Sequence, residues 1–226
     1  MTHLRSTLLC ALLTAATGCV DNDSTLFIVQ VQAATVDNEC TVSADPAALF
    51  RSRGLLDISL QQSYGASLLV GNQLVRRGDA NRLRTETGRV QLYQADVEVY
   101  DFTAALISSF SQPISGFVDV STGTDPGFGV TSVMLVDPGA VDAVAAAGGV
   151  SEVVAQVRVL GETLGGLEVE TGFWSFPIVV CTGCVTIVEP ETCEDDFVPT
   201  CAVGQDTTKV DARDVNPDHP CNVGMP

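Results

Sequence analysis

The stretch VQLYQADVEVYD, Val90–Asp101, decides the fold class. Val90 and Leu92 share one parity, whereas Tyr93, Ala95, Val97 and Val99 continue on the other. A period of two is the signature of a strand with one face in a core. The change of phase predicts a β-bulge at Tyr93–Gln94, where an extra residue re-aims the side chains. Outward from this segment the same grammar recurs. Leu26–Val31 is β-branched and aromatic, as a strand buried on both faces would be. Leu56, Ile58 and Leu60 alternate with polar residues, and Ser67–Val70 is a further strand that Gly71-Asn72 should end. Ile114–Val120 and Phe128–Val136 follow, then Val153, Ala155, Val157 and Val159 alternate with Glu152, Val154, Gln156 and Arg158. Gly161–Gly166 supplies turn residues before Leu167, Val169, Thr171 and Phe173 resume the alternation opposite Glu168 and Glu170.

One helix interrupts the strands. Asp137 can cap it, Pro138 suits its first position, Ala140–Ala147 favour helix, and Gly148-Gly149 end it. Seven to nine short strands with Gly-rich turns predict a mainly β protein, an antiparallel β-sandwich of immunoglobulin-like type. A closed β-barrel is the alternative architecture. Trp174 has no cysteine pair around it of the kind antibody domains carry, and no fixed-period repeat is visible.

Composition bounds the function. In 226 residues, 28 acids against 11 Lys and Arg give a formal charge of −17, while 46% of residues are apolar and only 17% charged. Such a chain has ample material for a core and is not disordered as a whole. Its acidity disfavours nucleic acid as a partner, because phosphate contacts require a basic surface.

Residues Met1–Cys19 read MTHLRSTLLCALLTAATGC. A basic start at Arg5, an uncharged apolar stretch over Thr7–Ala16 and small residues thereafter form an export signal. The apolar run is short of the roughly 20 residues that cross a bilayer core. Ala16-Thr17-Gly18-Cys19 resembles the lipobox of bacterial lipoproteins, although Ala16 stands where that family most often has Leu. The resemblance implies removal of residues 1–18, lipidation of Cys19 and attachment to a membrane of the cell envelope, expected to be the outer membrane. Plain secretion or a periplasmic location is the alternative. Cysteine parity agrees with lipidation: once Cys10 and Cys19 are set aside, Cys40, Cys181, Cys184, Cys193, Cys201 and Cys221 remain to pair as three disulfides. Several acyl chains hold a protein firmly, at about 0.8 kcal/mol per buried methylene. The acidic body should not adhere to anionic lipid, so attachment is expected through the acyl chains.

The expected organisation is therefore a signal peptide at 1–18, a tether at 19–25, a β-sandwich at 26–180 and a Cys-rich acidic tail at 181–226 packed on the sandwich. That tail holds five of the six pairing cysteines, and Cys40 should tie the first strand region to it. Cys181-Thr182-Gly183-Cys184 is a CxxC lying between two β-branched runs rather than opening a helix, which favours a structural disulfide over a redox or zinc site.

Catalytic constellations are sparse. His219 is the histidine remaining after the signal, and a solvated loop position is expected for it; neither GxSxG nor a phosphate loop occurs. Glu168 and Glu170 are candidate paired acids on one strand face, equally explained as a solvent-facing stripe. Asp206, Asp211, Asp214, Asn216 and Asp218 offer the oxygen ligands that Ca²⁺ takes, but not in DxDxDG order. No cofactor is expected, Ca²⁺ being the one candidate these residues suggest. Arg51, Arg53, Arg76, Arg77, Arg82, Arg84 and Arg89 fall in a single window and form a candidate patch for an anionic glycan or an acidic partner; the ordinary explanation is loop ends paired with nearby acids. These observations lead to a lipid-anchored envelope protein with a non-enzymatic binding or structural role and an envelope protein or glycan as partner. The alternative is a carboxylate-dependent hydrolase acting on envelope glycans. The chain is similar in these respects to the many predicted bacterial lipoproteins, a resemblance that implies location rather than ligand.

Overall fold

A computed structural model describes residues 25–35, 40–76, 86–149, 151–193 and 200–222. Its strands are β1 (Leu26–Gln32), β2 (Phe50–Arg51), β3 (Gly54–Asp57), β4 (Tyr64–Asn72), β5 (Val90–Asp101), β6 (Leu106–Val118), β7 (Gly127–Val136), β8 (Ser151–Thr163), β9 (Glu168–Glu170), β10 (Trp174–Cys181), β11 (Thr186–Val188) and β12 (Lys209–Asp211). The helices are α1 (Pro138–Ala146) and a single turn, α2 (Ala212–Val215). Two sheets face each other, β2-β1-β4-β7 and β3-β10-β8-β5-β6, with β9 alongside β8. This is the mainly antiparallel, immunoglobulin-like sandwich. The chain switches sheets at Ser52-Arg53, between β2 and β3, and β3 then runs parallel to β10.

The core follows from the alternation. In β5 the register shifts between Leu92 and Gln94 against both neighbours. This is the expected bulge, and it lets Val90 and Leu92 share the interior with Ala95, Val97 and Val99, all at most 1% exposed. Val153, Ala155, Val157 and Val159 of β8 and Phe176, Ile178 and Val180 of β10 complete this wall against Leu68, Val70 and Leu135 of the other sheet. Asp137 caps α1 through the Ala140 N–H, and Ala140, Val141 and Val144 cover one end of the core.

Several boundaries differ from the sequence reading. β3 ends at Asp57, and Ile58–Leu60 form a turn because the Asp57 carboxylate captures the Ser59 N–H and hydroxyl at 3.0 and 2.6 Å. β4 continues through Gly71-Asn72, where the Phe27 ring fills the space a Cβ at Gly71 would need. β1 keeps Phe27, Val29 and Gln30 only half-buried, rather than being buried on both faces throughout, and carries its own register shift between Ile28 and Gln30. β6 begins at Leu106, in a Ser-rich stretch whose alternation is too polar to be read as a strand.

Along one side the sheets meet without a backbone ladder. The β6–β7 seam is tight at Gly129, where a Cβ would overlap the Phe117 carbonyl oxygen. Further along, the Gln112 side-chain amide imitates a strand: its Nε2 donates to the Met134 carbonyl at 2.7 Å, and its Oε1 accepts from the Met134 N–H at 3.0 Å. Pro113 next to it is tolerated because β6 is an edge strand.

The tail docks on the end of the sandwich where β3 finishes. Disulfides join Cys40 to Cys201, Cys181 to Cys184 and Cys193 to Cys221. Asp206 accepts from the Leu55 N–H at 3.0 Å and the Tyr64 hydroxyl at 2.8 Å, and pairs with Arg51 at 3.1 Å. Asp57, itself fully buried, accepts from the Gly183 and Val185 N–H groups, each at 2.8 Å. Within the tail, a buried Arg213 is gripped by Asp211 at 2.7 Å.

Gln112→Ala should lower stability by about 1–2 kcal/mol through loss of the two seam bonds, measured by urea unfolding. Burial acts to raise the Asp57 pKa, but the Ser59, Val185 and Gly183 donors outweigh it and hold the carboxyl below its usual 3.8. Its stabilisation is therefore complete above that value and is lost as pH falls through the depressed folded pKa. Asp57→Asn should flatten the acid limb of the stability–pH curve below about pH 4 in thermal melts.

Candidate functional site

The open outer face of the large sheet carries an array of unburied aromatic and charged groups. β5, β6, β8 and β9 lie side by side there, with Asp96 opposite both Ser111 and Arg158, and Leu160 opposite Glu170. Asp96 accepts from the Ser111 hydroxyl at 2.7 Å, Gln94 Nε2 at 2.8 Å and Arg158 Nη2 at 2.9 Å. The other terminal nitrogen of Arg158 lies 3.4 Å from Glu170, and its guanidinium sits 5.2 Å from the centre of the Phe173 ring. Partial burial works to raise the Asp96 pKa, but Ser111, Gln94 and Arg158 prevail and hold it below the ordinary range. Tyr93, thrust out by the bulge, is 38% exposed. Desolvation and then Glu168, Glu162, Asp96 and Glu170 push its hydroxyl pKa upward, so four carboxylates lie within electrostatic reach of one phenol. Tyr100 donates to Glu98 one step along the same strand.

Glu168 and Glu170, the paired acids of the sequence reading, thus stand on an open sheet surface, with Glu170 held by Arg158. The face presents exposed rings beside charges fixed by ion pairs. Arg158 was legible as a strand residue facing solvent. The alternation put Phe173 on the opposite face from Glu168 and Glu170, whereas it lies beyond β9 and is 49% exposed. The convergence of Asp96, Arg158 and Phe173 depends on strand order and the bulge register.

The arginines of the candidate patch do not gather among the described residues. Arg51 pairs with Asp206, and Arg53 lies 3.7 Å from Glu152. Gly54, next to Arg53, is level with Ile178, Val153 and Asp101 across the sheet. Arg89 precedes Val90 at the other end of β5, about 40 Å away at the rise of a strand. There Arg89 pairs with Asp119 at 3.0 Å and lies over the Phe117 ring, and the Arg76 N–H bonds Ser121. Arg77, Arg82 and Arg84 lie outside the described residues, as do Cys10 and Cys19.

Beside the tail, a cleft of about 630 Å³ is lined by Gln32, Arg51, Ser67, Gln205, Asp206 and Lys209 among others, with Asp206 its single carboxylate among the described residues. Among the residues considered for Ca²⁺, Asp206 binds Tyr64, Asp211 binds Arg213, Asp214 accepts from the Thr200 N–H, and Asn216 accepts from the Asp218 N–H. Among the described residues, no three potential ligands converge. His219 departs from its expected solvated position. It is 9% exposed, with Nε2 3.2 Å from Glu189 and Nδ1 accepting from the Cys221 N–H, because the Cys193–Cys221 bond folds the terminus back. No described helix is long and apolar enough to cross a membrane.

No protein family, curated protein or solved structure matches this chain.

Removing the guanidinium in Arg158→Ala should let the Asp96 carboxyl titrate at higher pH. Carbon-detected NMR titration would read this as an upward pKa shift, with a stability loss of about 1 kcal/mol as expected for a partly exposed pair.

Proposed function

We propose that this chain is a lipid-anchored protein of the cell envelope that acts by binding, with the outer face of its large sheet as the contact surface. The observation that carries the binding role is the arrangement around Arg158. Its acids are locked in ion pairs and hydrogen bonds on an open surface, beside the exposed Tyr93 and the half-exposed Phe173 ring. Paired-acid hydrolysis needs two carboxylates about 5–10 Å apart across a bound sugar, one of them kept protonated. Asp96 is instead held in its charged form, and among the described residues the tail cleft offers a single acid. A rigid face of rings and oriented charges suits recognition of an envelope protein or glycan.

The anchor rests on the order of Arg5, the apolar stretch and Ala16-Thr17-Gly18-Cys19. Cys193, Cys201 and Cys221 pair with one another or with Cys40, as an oxidising compartment allows.

In fractionated cells, Cys19→Ser should move the protein from the membrane to the soluble fraction, and continued membrane association would remove the acyl anchor from this account. The double variant Tyr93→Ala, Phe173→Ala should keep the wild-type melting temperature within a few degrees, about the size of exposed-residue effects. It should also lose in-cell cross-linking to envelope components. Unchanged cross-linking would move the binding role to another surface.

A further inference from the structure

The CxxC turn where the sandwich hands over to the tail keeps its shape without needing its disulfide. The Cys181 carbonyl accepts from the Ile58 N–H at 2.8 Å. The Gly183 and Val185 N–H groups, on either side of Cys184, both donate to the buried Asp57. The Thr182 hydroxyl donates to the Gly149 carbonyl at 3.0 Å, and Gly183 takes the left-handed φ of 65° that the turn requires. Cys181, Thr182 and Gly183 therefore each have a non-covalent tether, and Cys184 is held between the two residues bound to Asp57. The Cys181–Cys184 bond spans 3 residues, against 28 and 161 for the other two, so it restrains the unfolded chain least.

The two sulfurs differ in access. Cys181 ends β10 and is 5% exposed, whereas Cys184 is exposed. The Leu56 carbonyl oxygen lies 3.4 Å from the Cys181 sulfur, an acceptor already in place for an S–H group. Cys193 is exposed too, but its bond to Cys221 restrains a tail with little apolar core, so opening that bond would cost structure.

We propose that Cys181–Cys184 is a thiol–disulfide exchange site at which a dithiol protein attacks Cys184 and Cys181 is the leaving sulfur. The incoming thiolate forms a bond to the Cys184 sulfur as the Cys181–Cys184 bond breaks. Cys181 departs as a thiolate, takes a proton from water and donates it to the Leu56 carbonyl in a hydrogen bond. The partner's second thiol, as its thiolate, then attacks the partner sulfur of the mixed disulfide, and Cys184 leaves and is protonated. Two electrons and two protons pass from the dithiol to this chain, and the dithiol becomes a disulfide. The site does not depend on the anchor or on the sheet face.

Dithiothreitol is a suitable probe dithiol for the intact, fully oxidised protein, with alkylation and peptide mass mapping at each concentration and circular dichroism as the fold readout. Cys181–Cys184 should be half reduced at a concentration about tenfold or more below that for Cys40–Cys201, with the folded signal unchanged. Opening only together with Cys40–Cys201, or only as the fold is lost, overturns the proposal. Cys181→Ala and Cys184→Ala each leave one thiol of the pair. In Cys181→Ala, Cys184 should form a mixed disulfide with oxidised glutathione about tenfold or more faster than Cys181 does in Cys184→Ala. Equal or reversed rates overturn the assignment of the attacked sulfur.

Discussion

A single buried carboxylate organises the junction on which the arrangement of this molecule depends. Asp57 has no solvent exposure, and a charge removed from water is tolerable only when donors replace its hydration. Those donors come from three places: the Ser59 turn that ends β3, the Gly183 N–H within the CxxC loop and the Val185 N–H at the start of the tail. The Asp57 N–H meanwhile donates to the Gly204 carbonyl deep in the tail. Satisfying one acid thus fixes where a strand stops, how the last sandwich strand turns, and where the tail lies.

The two parts of the chain are held by different physics. Between the sheets, rows of Val, Leu and Ile leave water completely, and burying a side chain of that kind contributes about 1.5–3 kcal/mol. The tail has few such residues and relies on cross-links and polar clasps. By chain entropy the Cys40–Cys201 bond restrains the unfolded chain by about 5 kcal/mol, and Cys193–Cys221 by about 4. Tyr64 shows how the two regimes meet. Its ring lies 6.2 Å from that of Phe176 within the core, while its hydroxyl reaches out to Asp206, and burial followed by that carboxylate raises its pKa.

The sheet face and the arginine-rich window illustrate why a candidate site is harder to read than a fold. Asp96 is distant in the chain from Arg158 and Glu170, and the three meet because β8 lies between β5 and β9 in a particular register. Arg53 and Arg89 are closer in the chain than Asp96 and Arg158, yet stand at opposite ends of one sheet. Local spacing carries little information about either result, since cross-strand neighbours are set by pairing and bulges.

Alternation by itself determined the strands of the core and the bulge in Val90–Asp101, because burial of one strand face is written residue by residue, and the cap, Pro and Ala run after Asp137 determined the helix. The even count of six remaining cysteines likewise implied three bonds, and the isolation of Cys40 implied its tie to the tail. Partners were another matter. Which cysteines joined, the edge at Asp57, the burial of His219 and the clustering about Arg158 were decided by tertiary structure. Each depends on a group that must find a donor, an acceptor or a counter-charge in a segment distant along the chain, and only the folded arrangement of strands determines which one is within reach.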